Sequence, residues 1–258
     1  TVDLQGGFAS ATIYSTDNFY KNVTDAVDSN PFFFEGSLFH ELGHARYLID
    51  QYGFDVSAGG NKENIRITED GELVAGSKYM PFKAWDVVHY RDYDGLMADG
   101  YTYIGEYNVM CLNRIAGHRA LCGNMNAPCN IGEYINDLPQ QNRLTVKDQN
   151  GTLLSNAGVK IYRAEGVQDA WYGKYYDDIP DMTLQADADG VVELGRNPFT
   201  TGRIEHTYGI ATGVVIVRVE KDGAVGYGFL ESSHFNMEYW RGNTAVGNYT
   251  MEFDMIRK

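Results

Sequence analysis

The chain has 258 residues, of which 43% are hydrophobic and 13% aromatic, so it can form one large domain or two with a proper core. Its formal net charge of −14 argues against nucleic-acid binding, which needs a basic surface, and favours solubility. No stretch has the roughly 20 apolar residues that a transmembrane helix needs. We therefore expect neither a nucleic-acid partner nor a membrane-spanning segment.

The chain begins Thr1-Val2-Asp3-Leu4, without Met or the basic and apolar parts of a secretory signal. Only 39 residues precede the first motif of chemical interest, and we expect N-terminal sequence to be missing. The 19 Tyr residues and the abundant Gly are typical of β-rich extracellular proteins, so we expect a secreted or cell-surface location. Cys122 and Cys129 form a disulfide if the protein is exported; three reduced thiols, with Cys111, are the alternative.

Two elements are predicted near the N-terminus. Residues 7–15 favour a β-strand centred on Thr12, Ile13 and Tyr14. After a loop rich in turn formers, apolar residues recur at the spacing of one helix face, which predicts a helix that reaches Tyr52 and ends at Gly53. The apolar residues of this stripe are Leu38, Leu42, Ala45, Ile49 and Tyr52.

This predicted helix contains His40-Glu41-Leu42-Gly43-His44, the His-Glu-x-x-His pattern of zinc proteases. At about 100° per residue, His40 and His44 project from one face one turn apart, so two imidazoles can hold one metal ion. Glu41 stays on the same side, where it can take a proton from a water molecule that the metal activates. The motif therefore predicts zinc as the cofactor and peptide-bond hydrolysis as the reaction.

Further elements follow in chain order. Strands are predicted at residues 65–67 and 73–74, a second helix at about 104–119, and a short helical turn at 132–138. Beyond residue 142 the sequence changes to short strands separated by Gly, Asn and Asp turns, the pattern of a β-sandwich. These strands are predicted at residues 143–148, 159–162, 183–186, 191–194, 213–220, 224–231 and 249–255. We therefore predict a catalytic domain over residues 1–139 and an all-β sandwich domain over residues 140–258.

Residues 7–120 resemble the metzincin clan of zinc peptidases, in which a third ligand lies six residues after the second His of the motif. Asp50 occupies that position, as in the snapalysin-like and IgA-peptidase-like groups. Tyr93-Asp94-Gly95-Leu96-Met97 is similar to the clan's Met-turn, with Met97 beneath the metal.

The resemblance implies an α+β fold: a zincin-like domain with an active-site helix, few strands and a C-terminal helix. The second half resembles, loosely, the transthyretin- or immunoglobulin-like β-domains appended to secreted peptidases.

One residue departs from the clan's pattern. Tyr47 stands where the clan has the Gly that lets the chain leave the helix. If the helix stays straight to Tyr52, Asp50 lies about 100° away from the two His directions and cannot reach the metal. The alternative third ligands are Glu106, Asp92, Asp94 and His89.

The first functional hypothesis is a zinc-dependent endopeptidase that acts on a protein or peptide substrate, with Glu41 as general base. The second is a non-catalytic surface or binding protein with a vestigial zinc site and a working β-sandwich. A hydrolase of non-peptide amides is a third, weaker hypothesis. Zinc content and hydrolysis distinguish the first two.

Overall fold

A computed structural model of the protein describes residues 2–6, 9–13, 40, 43, 48–49, 51–54, 56–57, 65–68, 70–75, 84–85, 88–89, 95–97, 104–115, 133–164, 176–199 and 213–257. By its internal contacts the chain divides into two compact units. The first unit comprises Thr1–Tyr52 and Arg91–Tyr134, and the second comprises Gly53–Tyr90 and Ile135–Lys258. This division does not test which segments fold independently, so the predicted domains stay a prediction.

Most of the described residues with regular structure lie in strands. In chain order the strands are β1 (Val2–Gly6), β2 (Ala9–Ile13), β3 (Val56–Ser57), β4 (Ile65–Thr68), β5 (Leu73–Ala75), β6 (Ala84–Trp85), β7 (Val88–His89), β8 (Gln141–Asp148), β9 (Gly158–Arg163), β10 (Met182–Gln185), β11 (Val191–Gly195), β12 (Val214–Lys221), β13 (Ala224–Glu231), β14 (Val246–Phe253) and β15 (Ile256–Arg257). The α-helices with described bounds are α1 (Glu106–Ile115) and α2 (Ser232–Trp240), and two 3₁₀ helices span Gln51–Phe54 and Glu133–Asn136.

The second unit contains two large sheets. The five-stranded sheet has the order β10-β9-β12-β13-β15 with antiparallel neighbours. Its central hairpin, β12–β13, turns through Asp222 and Gly223, both at positive φ, which confirms a Gly/Asp turn between the strands predicted at residues 213–220 and 224–231. The three-stranded sheet has the order β11-β8-β14, and β14 runs parallel to β8.

Both sheets contribute to one hydrophobic core. Alternate residues of β8 are buried, as the two-residue period of a strand requires when one face is covered. Leu144 and Val146 of β8 lie in the same core cluster as Val159 of β9 and Val217 of β12. Burial of each such side chain stabilises the folded state by about 1.5–3 kcal/mol. The strands β8 to β14 were predicted because short β-prone runs recur there between Gly, Asn and Asp turn residues.

The outer face of β12 is covered too, since every residue from position 214 to 219 is buried. Arg218, 2% exposed, pairs there with Glu72 at 3.1 Å and with Glu220 at 2.8 Å. The Tyr227 hydroxyl donates to the Gly71 carbonyl at 2.9 Å. Since residues 71 and 72 form the turn between β4 and β5, these bonds tie the β4–β5 hairpin to the sheet.

The first unit has less described regular structure. β1 and β2 form an antiparallel hairpin, with Val2 opposite Ile13. The strand predicted at residues 7–15 is confirmed for Ala9–Ile13, and the predicted second helix is confirmed for Glu106–Ile115. In the described part of the chain, no helix has both the length and the hydropathy to cross a bilayer.

The expected α+β fold class, with a helix-based zincin-like domain, is wrong. The regular structure of the described residues is mainly β-strand, with two α-helices of defined bounds, and α1 is only 10 residues long. The second unit also departs from an immunoglobulin sandwich, because β14 pairs in parallel and α2 lies between β13 and β14.

Candidate metal centre

His40 is a buried helical residue, 6% exposed, whose ring nitrogen Nδ1 lies 2.7 Å from the carbonyl oxygen of Leu96. A carbonyl oxygen can only accept, so Nδ1 carries the proton and donates it. In the neutral tautomer the lone pair is then on Nε2, one of the two nitrogens through which histidine binds metals. Metal-binding histidines almost always donate their other N–H to such a partner. The donor chemistry of His40 therefore fits zinc.

Gly43, between the two His positions of the motif, packs against Met97. A Cβ at Gly43 would collide with the Met97 sulfur and lie 3.3 Å from its methyl carbon. Met97 itself is fully buried. Residues 96 and 97 thus meet positions 40 and 43 of the motif, one through a hydrogen bond and one through close packing. The short segment 95–97 is held directly against the motif.

The helix of the motif ends earlier than its apolar stripe predicts. Leu48 and Ile49 are not helical, and the Leu48 N–H donates to the Gly43 carbonyl at 3.1 Å. A bond from a residue to the carbonyl five positions back is typical of a Schellman helix end. The straight helix to Tyr52 is therefore wrong, and so is the geometric objection to Asp50 that depended on it.

The chain after the helix is held by a tyrosine from far along the sequence. The Ile49 N–H donates to the Tyr134 hydroxyl at 3.0 Å, 85 residues away. Tyr134 is buried, and burial raises its pKa well above the ordinary value, with the neighbouring Cys111 thiol and Tyr107 adding to the rise. The Tyr134 hydroxyl thus gives the buried Ile49 N–H, which lies beyond the end of the helix, a hydrogen-bond acceptor.

Gln51 is the next anchored residue. Its backbone N–H donates to the Met97 carbonyl at 2.6 Å, and its side-chain Nε2 donates to Asn108 Oδ1 at 2.9 Å. Both side chains are buried. Gly95 lies beside this pair, since a Cβ at Gly95 would be 3.3 Å from Gln51 Oε1. The 95–97 segment is therefore fixed from two sides, by the motif and by Gln51.

The structure locates only some of the predicted site residues. Glu106 begins α1 with an exposed side chain, and His89 belongs to β7 of the second unit. Across the described ranges no three His, Cys, Asp or Glu side chains come together as a metal site. Cys111 is a buried thiol without a disulfide. The predicted residues outside the described ranges are Glu41, His44, Asp50, Asp92, Asp94, Cys122 and Cys129.

The supporting residues Gln51, Asn108 and Tyr134 were not predicted. Gln51 and Asn108 lie 57 positions apart, and neither belongs to a motif. A buried amide pair carries no pattern that one sequence displays. Tyr134 is one of 19 tyrosines, and only its spatial neighbours distinguish it.

No protein-family model matches the chain, and no curated protein matches it. Among solved structures, one similar chain is that of chlorocatechol 1,2-dioxygenase from Pseudomonas putida, at 15% identity and a TM-score of 0.24. The match covers 46% of this chain and 61% of the dioxygenase chain. A likeness this weak assigns neither a family nor an activity.

The identification with the metzincin clan, and with a transthyretin- or immunoglobulin-like second domain, is wrong. No metallopeptidase family model matches, and among the described residues regular structure is mostly β-strand and no three-residue metal cluster is found. The His-Glu-x-x-His spacing is short enough to occur outside that clan.

We predict that Gly43→Ala destabilises the first unit. In a helix, Ala is about 1 kcal/mol more favourable than Gly, but overpacking a buried contact costs about 1–3 kcal/mol. We expect the collision with Met97 to outweigh the helix preference of Ala, so the free energy of unfolding, measured in urea, should fall. Gly158→Ala is the control, because its Cβ would meet only the Glu220 carbonyl at 3.9 Å. Equal stability of the two variants would contradict the packing described for Gly43.

We also predict that Tyr134→Phe changes the alkaline pH dependence of stability. The unfolded chain releases the tyrosine proton near pH 10, whereas the folded chain keeps it because its pKa is raised. The free energy of unfolding should therefore fall as pH rises above about 10, by up to about 1.4 kcal/mol per pH unit for this group. Below that range this group adds no slope. Urea unfolding at pH 8, 10 and 11 should show a smaller slope in Tyr134→Phe; identical slopes would contradict it.

Proposed function

We propose that the protein is a zinc-dependent endopeptidase, with His40 and His44 as metal ligands and Glu41 as general base. The observation that carries the proposal is the hydrogen bond from buried His40 Nδ1 to the Leu96 carbonyl. It holds one motif histidine in the tautomer and setting that metal ligands use. The proposed substrate is a protein or peptide, and export to the cell surface or medium stays a prediction.

The metal, the Leu96 carbonyl and Glu41 have distinct tasks in this proposal. Bound zinc would supply a Lewis acid that lowers the pKa of water and polarises a carbonyl oxygen. The Leu96 carbonyl orients the His40 ring and fixes its tautomer. Glu41 accepts the proton of the attacking water and delivers it to the leaving amine as the peptide C–N bond breaks.

Asp50, six residues after His44, is the proposed third ligand. Two observations support it. The chain leaves the helix before Leu48, and the residues on either side of position 50, Ile49 and Gln51, both have hydrogen-bonded N–H groups. Glu106, exposed at the start of α1, is the alternative.

We predict that Glu41→Gln keeps one zinc per chain and loses peptidase activity by several orders of magnitude. Removing the carboxylate removes the proton acceptor without removing a metal ligand. Elemental analysis and casein hydrolysis measure the two properties on the same preparation. A Glu41→Gln protein that still cleaves casein would contradict the proposal. A wild-type protein without zinc or hydrolysis would favour the alternative of a non-catalytic binding protein.

We further predict that Asp50→Ala lowers zinc content and that Glu106→Ala leaves it unchanged. A zinc site that loses one of three protein ligands should bind the metal far more weakly. Elemental analysis after dialysis measures the retained zinc. Loss of zinc in Glu106→Ala alone would make Glu106 the third ligand.

A further inference from the structure

We propose that the Gln51–Asn108 pair is a positioning device for the metal site, which holds the 95–97 segment in the place where Leu96 fixes His40. The inference rests on the proposed function, because it assigns the pair a task at that site. Neither residue is proposed to touch metal or substrate.

The first step is the connection between α1 and Gln51. Asn108, in the first turn of α1, accepts a hydrogen bond from Gln51 Nε2 at 2.9 Å. Both residues are at least 95% buried. Inside a protein such a bond is stronger than in water, and loss of one partner leaves the other buried and unsatisfied. The pair therefore fixes residue 51 to the helix.

The second step leads from Gln51 to His40. The Gln51 backbone N–H holds the Met97 carbonyl, and the Gln51 side chain lies against Gly95. The next carbonyl back from Met97, that of Leu96, holds the His40 ring at 2.7 Å. A displacement of residue 51 therefore moves the 95–97 segment and with it the acceptor that sets the His40 tautomer.

The third step is an unsatisfied hydrogen-bond donor in the pair, which points to a role besides stability. Asn108 Nδ2 is buried and has no hydrogen-bond partner in the part of the chain that the structure describes. Two apolar side chains of similar shape would avoid that unsatisfied donor, and such replacements are often neutral or stabilising. A polar pair that is not the most stable solution is explained if its directed hydrogen bond places the 95–97 segment.

The experiment compares Gln51→Met, Asn108→Leu and the double variant with wild type. Each protein is stripped of metal, and its zinc affinity is measured by competition with a chelator. The absorption spectrum of the cobalt(II)-substituted protein reports the ligand geometry, and thermal unfolding of the metal-free protein reports stability. We expect both single variants to lose stability and to bind zinc about 10–100-fold more weakly.

The double variant separates positioning from stability. Since it removes both polar partners, we expect it to regain much of the stability that the single variants lose. Its zinc affinity should stay about tenfold or more below wild type, with an altered cobalt spectrum. Zinc affinity and cobalt spectrum equal to wild type in the folded double variant would overturn the inference and leave the proposed function intact.

Asn142→Leu is the matched control from the second unit. Asn142 is a fully buried amide that donates to the carbonyls of Pro139 and Arg196 at 3.3 and 2.7 Å. Its loss should lower stability and leave zinc affinity unchanged. A drop in zinc affinity as large as that of Gln51→Met would overturn the inference, because any destabilisation would then suffice. Absence of zinc binding in wild type would overturn the proposed function as well.

Discussion

A hydrogen bond between His40 and the Leu96 carbonyl joins two parts of the first unit that lie 56 residues apart. The contacts described around this hydrogen bond depend on one another. Leu96 belongs to a segment that also presses Met97 against Gly43, and that segment is held by Gln51. If the segment shifted, the buried imidazole would lose its acceptor and the motif would lose its packing partner. The orientation of a histidine in a short motif is thus decided outside the motif.

The backbone at the end of the motif helix also needs hydrogen-bond partners from other parts of the chain. The last turn leaves carbonyl groups and the following N–H groups without partners inside the helix. Here the demand is met in three ways: Leu48 bonds back to Gly43, Ile49 to the hydroxyl of Tyr134, and Gln51 to Met97. Two of these partners are distant in sequence. In the second unit, Arg218 is likewise buried only because carboxylates of Glu72 and Glu220 accompany it.

The strands β8 to β14 could be predicted because short β-prone runs and the turn residues between them are local signals, as at Asp222-Gly223 between β12 and β13. The two-residue strands β3, β6, β7 and β15 were not predicted. α2 was missed, since Ser232–Trp240 has no side-chain cap at its start and no clear apolar face. The end of the motif helix was missed because Ile49 and Tyr52 continue the apolar stripe, while the contacts that stop it lie elsewhere. The family was wrong because five residues of motif and one plausible turn are compatible with more than one fold. Of the candidate site, the motif and the segment that contains Leu96 and Met97 were identified from the sequence, but Gln51, Asn108 and Tyr134 were not.

The alternation of the two units along the chain has a consequence for synthesis on the ribosome. Gly53–Tyr90 belongs to the second unit, but the rest of that unit begins only at Ile135. When the β4–β5 hairpin emerges, the strands that carry Arg218 and Tyr227 have not been synthesised. The partners of Glu72 and Gly71 follow only 146 and 156 residues later. Domains that are continuous in sequence fold one after another as they emerge. In this chain, by contrast, Gly53–Tyr90 is synthesised before the rest of the first unit, Arg91–Tyr134, and before the remainder of its own unit.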